Sequence, residues 1–209
     1  MTSVKICGLS TPETLAAAMT GGASHVGFVF FPPSPRNVTP ERAAALAAKV
    51  PGALVKVGVF VDPDDALLDA AIAAGRLDAI QLHKTGPQRA AAIRARVRRE
   101  IWAAIPVKTR ADLDAGRDYV EAADRLLYDA KTPDNAPLPG GMGLRFDWAL
   151  LDGIRHPLPW ALSGGLSPDN VADAIARTGA TLVDVSSGVE SAPGTKDVDK
   201  IAAFLKAAS

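Results

Sequence analysis

VKICGL, residues 4–9, is a short apolar segment almost at the start of the chain, and it predicts the first strand of a β/α fold. Val4, Ile6 and Leu9 have strand character, and Cys7-Gly8 marks the point where a parallel strand would end and a loop would begin. Cys7 is the only cysteine in the chain. A lone cysteine often packs as a small buried hydrophobic residue, so packing and chemistry both stay open for Cys7 here.

Outward from this segment, apolar runs alternate with helical segments. Further strands are predicted at residues 25–31, 54–61, 77–83, 100–107, 125–130, 159–165 and 181–187, and helices at 13–20, 41–50, 63–74, 88–99, 111–123, 146–154, 168–177 and 197–208. Thr11-Pro12-Glu13 and Thr39-Pro40-Glu41 show an N-cap followed by proline in the first helical turn. Eight evenly spaced units favour a closed barrel over an open doubly wound sheet. The expected fold is α/β, a (β/α)8 TIM barrel forming one domain over residues 1–209.

Composition narrows the function classes. Lys plus Arg and Asp plus Glu both number 23, so no basic excess favours nucleic acid or a membrane surface, and a small-molecule site is expected. One cysteine cannot form an internal disulfide, and the first residues lack the pattern of a signal peptide. No apolar run approaches the ~18 residues of a membrane span. These features predict a soluble, cytoplasmic protein.

In a barrel of this kind, the site is expected at the carboxyl ends of the strands. Several polar or unusual residues fall there: Cys7, Arg36 in the PSPR segment, Asp62, His83, Pro106, Asp129, the loop at residues 163–165 and the loop at 186–188. Cys7 and Asp129 belong to strands one and six and could act as general base and general acid. Asp129 could instead be a structural partner of Lys131 or Arg125. Lys5 shares the face of Cys7 only if it is buried inside the barrel, so its proximity to Cys7 stays open.

The loops after strands seven and eight suggest an anion site. SGGLSPDN at 163–170 leads a glycine pair into a helix predicted to be capped near Ser167, and DVSSGVE at 184–190 ends a strand in Ser-Ser-Gly. Glycines let the backbone approach a phosphate, and N–H groups at a helix start can hold it. Tight turns that need glycine for other reasons are the alternative.

The three histidines show no metal-ligand spacing, and one cysteine cannot build a Cys/His cluster, so no metal site is predicted. His25 and His156 are interpreted as surface residues. His83 ends strand four, where lining the pocket and a purely structural role are both open. No serine occupies a G-x-S-x-G elbow, which disfavours a Ser-His-Asp hydrolase.

Seven motifs in order resemble the signatures of the phosphoribosylanthranilate isomerase family: KICGL at 5–9, GFVFFPPSPR at 27–36, VGVFV at 57–61, QLH at 81–83, GGMG at 140–143, SGGLSPDNV at 163–171 and DVSSGVESAPGTKDVDKIAAF at 184–204. Ser163 stands where alanine is more often expected before the glycine pair, and this departure removes no functional group.

The resemblance implies an Amadori rearrangement of N-(5-phosphoribosyl)anthranilate in tryptophan biosynthesis. It implies that Asp129 is the general acid, that Cys7 is the general base and that Arg36 contacts the anthranilate carboxylate. His83, in the QLH motif, is kept as a candidate substrate-binding residue because of its position at the end of strand four. The resemblance also implies a phosphate on the backbone at Gly164, Gly165, Ser187 and Gly188, together with Gly141 and Gly143. No cofactor or metal is implied, and the family contains monomers and homodimers. Two alternatives remain: an isomerase of the histidine-pathway aminoaldose, whose relatives generally carry aspartate in place of Cys7, and a non-catalytic phosphosugar-binding barrel.

Overall fold

The protein is described here by a computed structural model that covers residues 2–133 and 140–209. Eight parallel strands close into a barrel in chain order, and the first strand pairs with the last. The strands are β1 Ser3–Cys7, β2 His25–Phe30, β3 Val55–Val61, β4 Ala79–His83, β5 Glu100–Val107, β6 Arg125–Ala130, β7 Trp160–Leu162 and β8 Leu182–Val185. The predicted (β/α)8 barrel is therefore confirmed.

The α-helices in the described ranges are α1 Pro12–Thr20, α2 Pro40–Ala47, α3 Asp65–Gly75, α4 Pro87–Val97, α5 Val171–Thr178 and α6 Val198–Ala207. The two predicted N-caps are confirmed. The side chain of Thr11 accepts a hydrogen bond from the backbone N–H of Thr14 at 3.3 Å, and that of Thr39 accepts one from Arg42 at 3.2 Å. Each threonine thus satisfies an N–H group that a helix start leaves without a partner.

Two predicted helices are wrong in type. Residues 110–119 form 3₁₀ turns (Arg110–Tyr119) in place of a helix over 111–123, and the helix predicted at 146–154 is a single 3₁₀ turn, Trp148–Leu151. The first segment contains Gly116, a poor helix former, whose Cα lies so close to the barrel that a Cβ there would be 2.6 Å from Leu126 Cδ1. The second ends at Leu151, because Asp152, with ψ 124°, has left the helical region, and Gly153 follows with φ +67°.

The ends of the last two barrel strands also differ from prediction. β7 stops at Leu162, before Gly164 and Gly165, whose φ values of +87° and +63° a strand cannot hold. β8 stops at Val185, because Ser186, with φ −125° and ψ −85°, leads into a 3₁₀ turn. Helix α5 begins at Val171 with Asn170 as its N-cap, three residues later than predicted. The backbone N–H of Ser167 donates to the Asn170 side chain at 2.9 Å, so this N–H is occupied.

A small antiparallel hairpin that the sequence analysis did not predict follows β8. A 3₁₀ turn, Ser187–Val189, leads into β9 Glu190–Ala192, which pairs with β10 Thr195–Lys196. No strand or helix is predicted for residues 131–143 after β6, and of these, residues 134–139 lie outside the described residues.

The core has two parts. The larger part fills the space between the barrel and its helices. A second apolar cluster closes the amino-terminal end of the barrel interior and consists of Val57, Ala79, Trp102, Leu127, Ala161 and Leu182, one residue from each of β3 to β8. Polar side chains lie above this cluster, nearer the carboxyl ends. No helix in the described part of the chain is long and apolar enough to cross a membrane.

Candidate active site

A cavity of about 820 Å³, counted with the open space at its mouth, lies at the carboxyl ends of the barrel strands. Ten residues that the sequence analysis proposed for catalysis or substrate binding line it: Cys7, Arg36, His83, Asp129, Gly141, Gly143, Gly164, Gly165, Ser187 and Gly188. Asp62 and Pro106, which it also noted at strand ends, are not among the lining residues. The barrel therefore brings together residues that are up to 181 positions apart in the chain. What each residue does there depends on its local contacts.

Cys7 lies at the end of β1, directly above Lys5. The register pairs Cys7 with Gly27 of β2, and a Cβ on Gly27 would lie 3.1 Å from Cys7 Sγ and 3.2 Å from Lys5 Cε. Lys5 is fully buried, and its Nζ donates a hydrogen bond to Asp184 Oδ1 at 2.8 Å. Asp184 also accepts one from Ser163 Oγ at 3.1 Å. Lys5, whose position the sequence left open, is therefore an interior neighbour of Cys7.

Burial and the neighbouring Lys5 ammonium group shift the pKa of Cys7 in opposite directions. Burial raises the pKa of the Cys7 thiol, and the Lys5 ammonium group works against that rise. Burial alone would lower the pKa of Lys5, but Asp184 and Cys7 raise it above its ordinary value. Lys5 therefore stays protonated. The resting thiol is neutral, and Lys5 is the cation best placed to stabilise a thiolate when one forms.

Asp129 is the second-last residue of β6, and its carboxyl group has a raised pKa. Burial, reinforced by Asp184, raises the pKa of Asp129 to about 7, although the Ala130 N–H, 2.9 Å from Oδ1, partly opposes this. Lys131 and Arg125 pair instead with Asp112 and Glu100. Asp129 is thus not the structural partner of either cation.

Two glycines make room for the Asp129 carboxyl group. A Cβ on Gly140 would lie 2.7 Å from Asp129 Oδ2, and a Cβ on Gly164 would lie 3.0 Å from Oδ1 and 2.6 Å from the Ala130 backbone nitrogen. Side chains at these two positions would displace the carboxyl group. The sequence marked Gly164 for phosphate contact, and the structure adds close packing around Asp129 as a reason for glycine there.

His83 is buried at the end of β4 and lines the cavity. Burial, with a contribution from Lys5, lowers the pKa of His83 to about 4, so the ring is neutral. Its Nε2 lies 2.8 Å from the Gln81 amide nitrogen and accepts that hydrogen bond, which puts the ring proton on Nδ1. Gln81, which the sequence analysis missed, keeps a buried Oε1 with no hydrogen-bond partner among the described residues.

The other two histidines are not the surface residues that the sequence suggested. His25 is partly buried, with its ring centroid 5.4 Å from that of Trp102, and burial lowers its pKa to about 4. His156 Nδ1 lies 3.2 Å from the Tyr128 hydroxyl oxygen. Both lie away from the cavity residues and pack against aromatic side chains.

Arg36 reaches the cavity from the proline-rich segment after β2 and is 5% exposed. Its Nε and Nη2 donate to the two carboxylate oxygens of Glu190 at 2.7 and 2.8 Å, and Nη2 also donates to the Gly141 carbonyl at 3.0 Å. Nη1 donates to no described residue and remains for a ligand. Glu190 itself contacts Lys196 Nζ at 2.7 Å. Sequence reasoning missed Glu190 and Lys196, because the hairpin that carries them was not predicted.

Three glycine-containing loops meet at one side of the cavity. A Cβ on Gly165 would lie 2.8 Å from the Leu144 carbonyl oxygen, and one on Gly143 would lie 3.8 Å from Ser187 Oγ. Gly188 lies against the Leu166 carbonyl so tightly that a Cβ would overlap it. These contacts bring the glycines of all three loops to one wall, where backbone N–H groups can surround an anion.

The opposite wall is apolar. It is formed by Val29 in β2, by Phe31 just after β2, and by Val59 and Val61 in β3. Val29, Val59 and Cys7 form one buried cluster with Phe31 packed against it. A flat apolar ring of a ligand can lie against this wall, and a charged substituent on that ring can then reach Arg36.

The fold and the site define a (β/α)8-barrel protein with an acid–base cavity for a small anionic ligand. The profile of the N-(5'-phosphoribosyl)anthranilate isomerase family matches residues 4–207. The chain is 55% identical over 206 residues to the N-(5'-phosphoribosyl)anthranilate isomerase of Paramagnetospirillum magneticum, covering 98% of this chain and 96% of that protein.

Two solved structures of phosphoribosyl anthranilate isomerases are similar to this chain over its whole length. The crystal structure of phosphoribosyl anthranilate isomerase from Thermotoga maritima matches with a TM-score of 0.88 and 37% identity, covering 100% of this chain and 98% of that one. A phosphoribosyl anthranilate isomerase in complex with reduced 1-(o-carboxyphenylamino)-1-deoxyribulose 5-phosphate matches with a TM-score of 0.86 and 35% identity, with the same coverage. The chain belongs to the N-(5'-phosphoribosyl)anthranilate isomerase family.

Proposed function

We propose that this protein converts N-(5-phosphoribosyl)anthranilate into 1-(2-carboxyphenylamino)-1-deoxyribulose 5-phosphate, an Amadori rearrangement in tryptophan biosynthesis. The observation that carries the proposal is that two proton-transfer groups, Asp129 and Cys7, lie at the carboxyl ends of β6 and β1 and line the same cavity. One is a carboxyl group with a pKa of about 7, and the other is a thiol with a buried cation beneath it. Family membership supplies the substrate.

The cavity has a place for each part of this substrate. The anthranilate ring would lie against the apolar wall formed by Val29, Phe31 and Val59, with its carboxylate toward Nη1 of Arg36. The phosphate would lie at the glycine loops containing Gly165 and Gly188. This arrangement extends the ribose between the two walls, toward Asp129 and Cys7.

In the first step, Asp129 donates its proton to the furanose ring oxygen. The bond between C1′ and that oxygen breaks, and the nitrogen lone pair forms a C1′=N iminium bond, which leaves Asp129 as a carboxylate. A carboxyl group with a pKa of about 7 suits this role, because a large fraction of it is protonated near neutral pH. Burial is the main cause of this property.

In the second step, Cys7 acts as a thiolate, its own thiol proton having passed to solvent, and removes the proton from C2′. The electron pair of the broken C–H bond forms C1′=C2′ and neutralises the iminium nitrogen, which gives an enol-amine. Proton gain at C1′ and proton loss from the C2′ hydroxyl then give the ketone. Oxidation at C2′ is balanced by reduction at C1′, so proton transfer alone completes the reaction. Lys5, fully buried beside Cys7, offsets the thiolate charge.

The test is turnover by the purified protein. Phosphoribosylanthranilate generated in the cuvette is fluorescent through its anthranilate group, and its loss on addition of the protein is the expected result. Cys7→Ala, tested in parallel, should abolish this loss. A non-catalytic barrel would bind the reduced product of the reaction without changing the fluorescence, and that outcome would overturn the proposal.

A second assay checks substrate choice and pathway. The gene should restore growth of a tryptophan auxotroph that lacks this isomerase, and it should not restore a histidine auxotroph that lacks the related aminoaldose isomerase. Rescue of only the histidine strain would overturn the proposed substrate. A cytoplasmic location and a monomeric or homodimeric state remain predictions, to be tested by fractionation and by analytical ultracentrifugation.

A further inference from the structure

The C-terminal hairpin places a buried lysine behind Arg36. Lys196 on β10 has a side chain that is 1% exposed, and its Nζ lies 2.7 Å from Glu190 Oε1, 2.9 Å from the Ser186 carbonyl oxygen and 3.2 Å from Ser186 Oγ. Three acceptors match the three donors of an ammonium group. We name Arg36, Glu190 and Lys196 the hairpin cluster.

The charges of the hairpin cluster explain why a second cation is needed. Arg36 and Glu190 together carry no net charge. An incoming carboxylate would therefore have to compete with Glu190 for the Arg36 guanidinium group. Lys196 makes the net charge of the cluster +1. Charge interactions are strong where water is largely excluded, so one buried positive charge is a substantial attraction for an anion.

The hydrogen bonds also restrict how Arg36 can bind. Nε and Nη2 are held by Glu190, and Nη2 also contacts the Gly141 carbonyl, which leaves Nη1 directed to the ligand. Glu190 is fixed in turn by Lys196, by the Gly194 N–H at 3.2 Å and, through its carbonyl oxygen, by Lys200 Nζ at 2.7 Å. The guanidinium plane is therefore set by the hairpin rather than by the proline-rich segment that carries Arg36.

We propose that Lys196 is a positioning and specificity-determining residue: it fixes Glu190 on Arg36 and supplies the net positive charge with which Arg36 selects a substrate that bears an aromatic carboxylate. This inference rests on the proposed function and adds a residue that touches no part of the substrate. It predicts that Lys196 matters much more for ligands that carry the carboxylate than for ligands that lack it, whose binding depends on Lys196 only through its hydrogen bonds to Ser186, next to Ser187 and Gly188.

The experiment measures binding of two ligands by calorimetry. One is reduced 1-(2-carboxyphenylamino)-1-deoxyribulose 5-phosphate, and the other is its analogue with an unsubstituted phenyl ring. In Lys196→Met, affinity for the first ligand should fall by about ten- to a hundredfold, the range for losing one charged hydrogen-bonding interaction, and affinity for the second should fall far less. Lys196→Arg should restore binding of the carboxylated ligand, because it returns the charge.

Binding of the phenyl analogue also reports folding. If Lys196→Met does not fold, Lys196→Gln replaces it, since its amide still donates to Glu190 while the charge is lost. Equal weakening of both ligands, or no weakening of either, would overturn the role of Lys196. Absence of turnover by the wild-type protein would instead overturn the proposed function. Failure of the proposed function and failure of the role of Lys196 are therefore distinguishable.

Discussion

Replacing Asp129 by Asn should make the protein almost inactive and, at alkaline pH, more stable. Asn has the same shape and can still accept the Ala130 N–H through its side-chain oxygen, but it has no proton to donate to the ring oxygen. The rate of rearrangement should fall by ~10²–10⁴-fold, the usual contribution of a positioned general acid. The change in stability follows from the pKa.

The wild-type carboxyl group has a pKa of about 7 in the folded protein against an ordinary value of 3.8, chiefly because it is buried. Below pH 3.8 the group is protonated in both the folded and the unfolded state, so its raised pKa does not lower the free energy of unfolding. Between pH 3.8 and about 7 the folded state binds more protons than the unfolded state, so wild-type stability falls as pH rises. Above pH 7 the cost is constant, at up to about 4 kcal/mol.

Asp129→Asn removes this cost. Urea unfolding of both proteins at pH 5 and pH 8 should show a stability gain for the variant that is larger at pH 8. Asp112→Asn is the matched control, because hydrogen bonds from the Thr109 and Lys108 N–H groups hold the pKa of Asp112 below its ordinary value. The Asp112→Asn variant should be less stable than the wild-type protein at neutral pH, and this difference in stability should shrink as the pH falls.

The interpretation of Asp129 fails if the gain from Asp129→Asn is the same at pH 5 and pH 8. That result would mean that the carboxyl group ionises normally in the folded protein and is already a carboxylate near neutral pH. Near-normal turnover by the variant would remove Asp129 from the mechanism. The two measurements are independent, because one uses the free protein and the other needs substrate.

Three other substitutions test the proposed base, the buried ion pair beneath it and the proposed phosphate site. Cys7→Ser should lower turnover by ~10²–10⁴-fold with an unchanged circular dichroism spectrum, because a hydroxyl is far less acidic than a thiol; retained turnover would exclude Cys7 as the base. Lys5→Met should lower the free energy of unfolding in urea by ~3–5 kcal/mol, because it leaves Asp184 buried without its cation; a smaller loss would mean that Asp184 is solvated or protonated. Gly188→Ala should weaken inorganic phosphate binding in a calorimetric titration, because the added Cβ would overlap the Leu166 carbonyl and move the loop; unchanged affinity would place the phosphate elsewhere.

The strand pattern was readable from the sequence because each barrel strand is a short apolar run bounded by turn residues. Helix starts at Thr11 and Thr39 were readable because capping is a local interaction. The segment at residues 110–119 was not, because its geometry depends on the contact of Gly116 with Leu126 across the chain. Periodicity alone does not separate a 3₁₀ turn from an α-helix.

The sequence placed Cys7 and Asp129 at strand ends, but not the charges that act on them. Lys5 and Asp184 are 179 positions apart, and they pair because closure of the barrel sets β1 beside β8 with these two residues in register. Glu190 and Lys196 belong to a hairpin whose strands are only three and two residues long, too short to produce a period-2 pattern.

The order of the barrel units and the kinds of chemical groups at the barrel mouth can be deduced from the amino-acid sequence, because hydrophobic periodicity, caps and short motifs depend on neighbouring residues. The electrostatics of the site depends on the folded arrangement. Burial sets the pKa of Asp129, closure of the barrel puts Lys5 beneath Cys7, and the hairpin fixes Arg36. Desolvation and charge pairing depend on distance in space, which separation along the chain does not reveal.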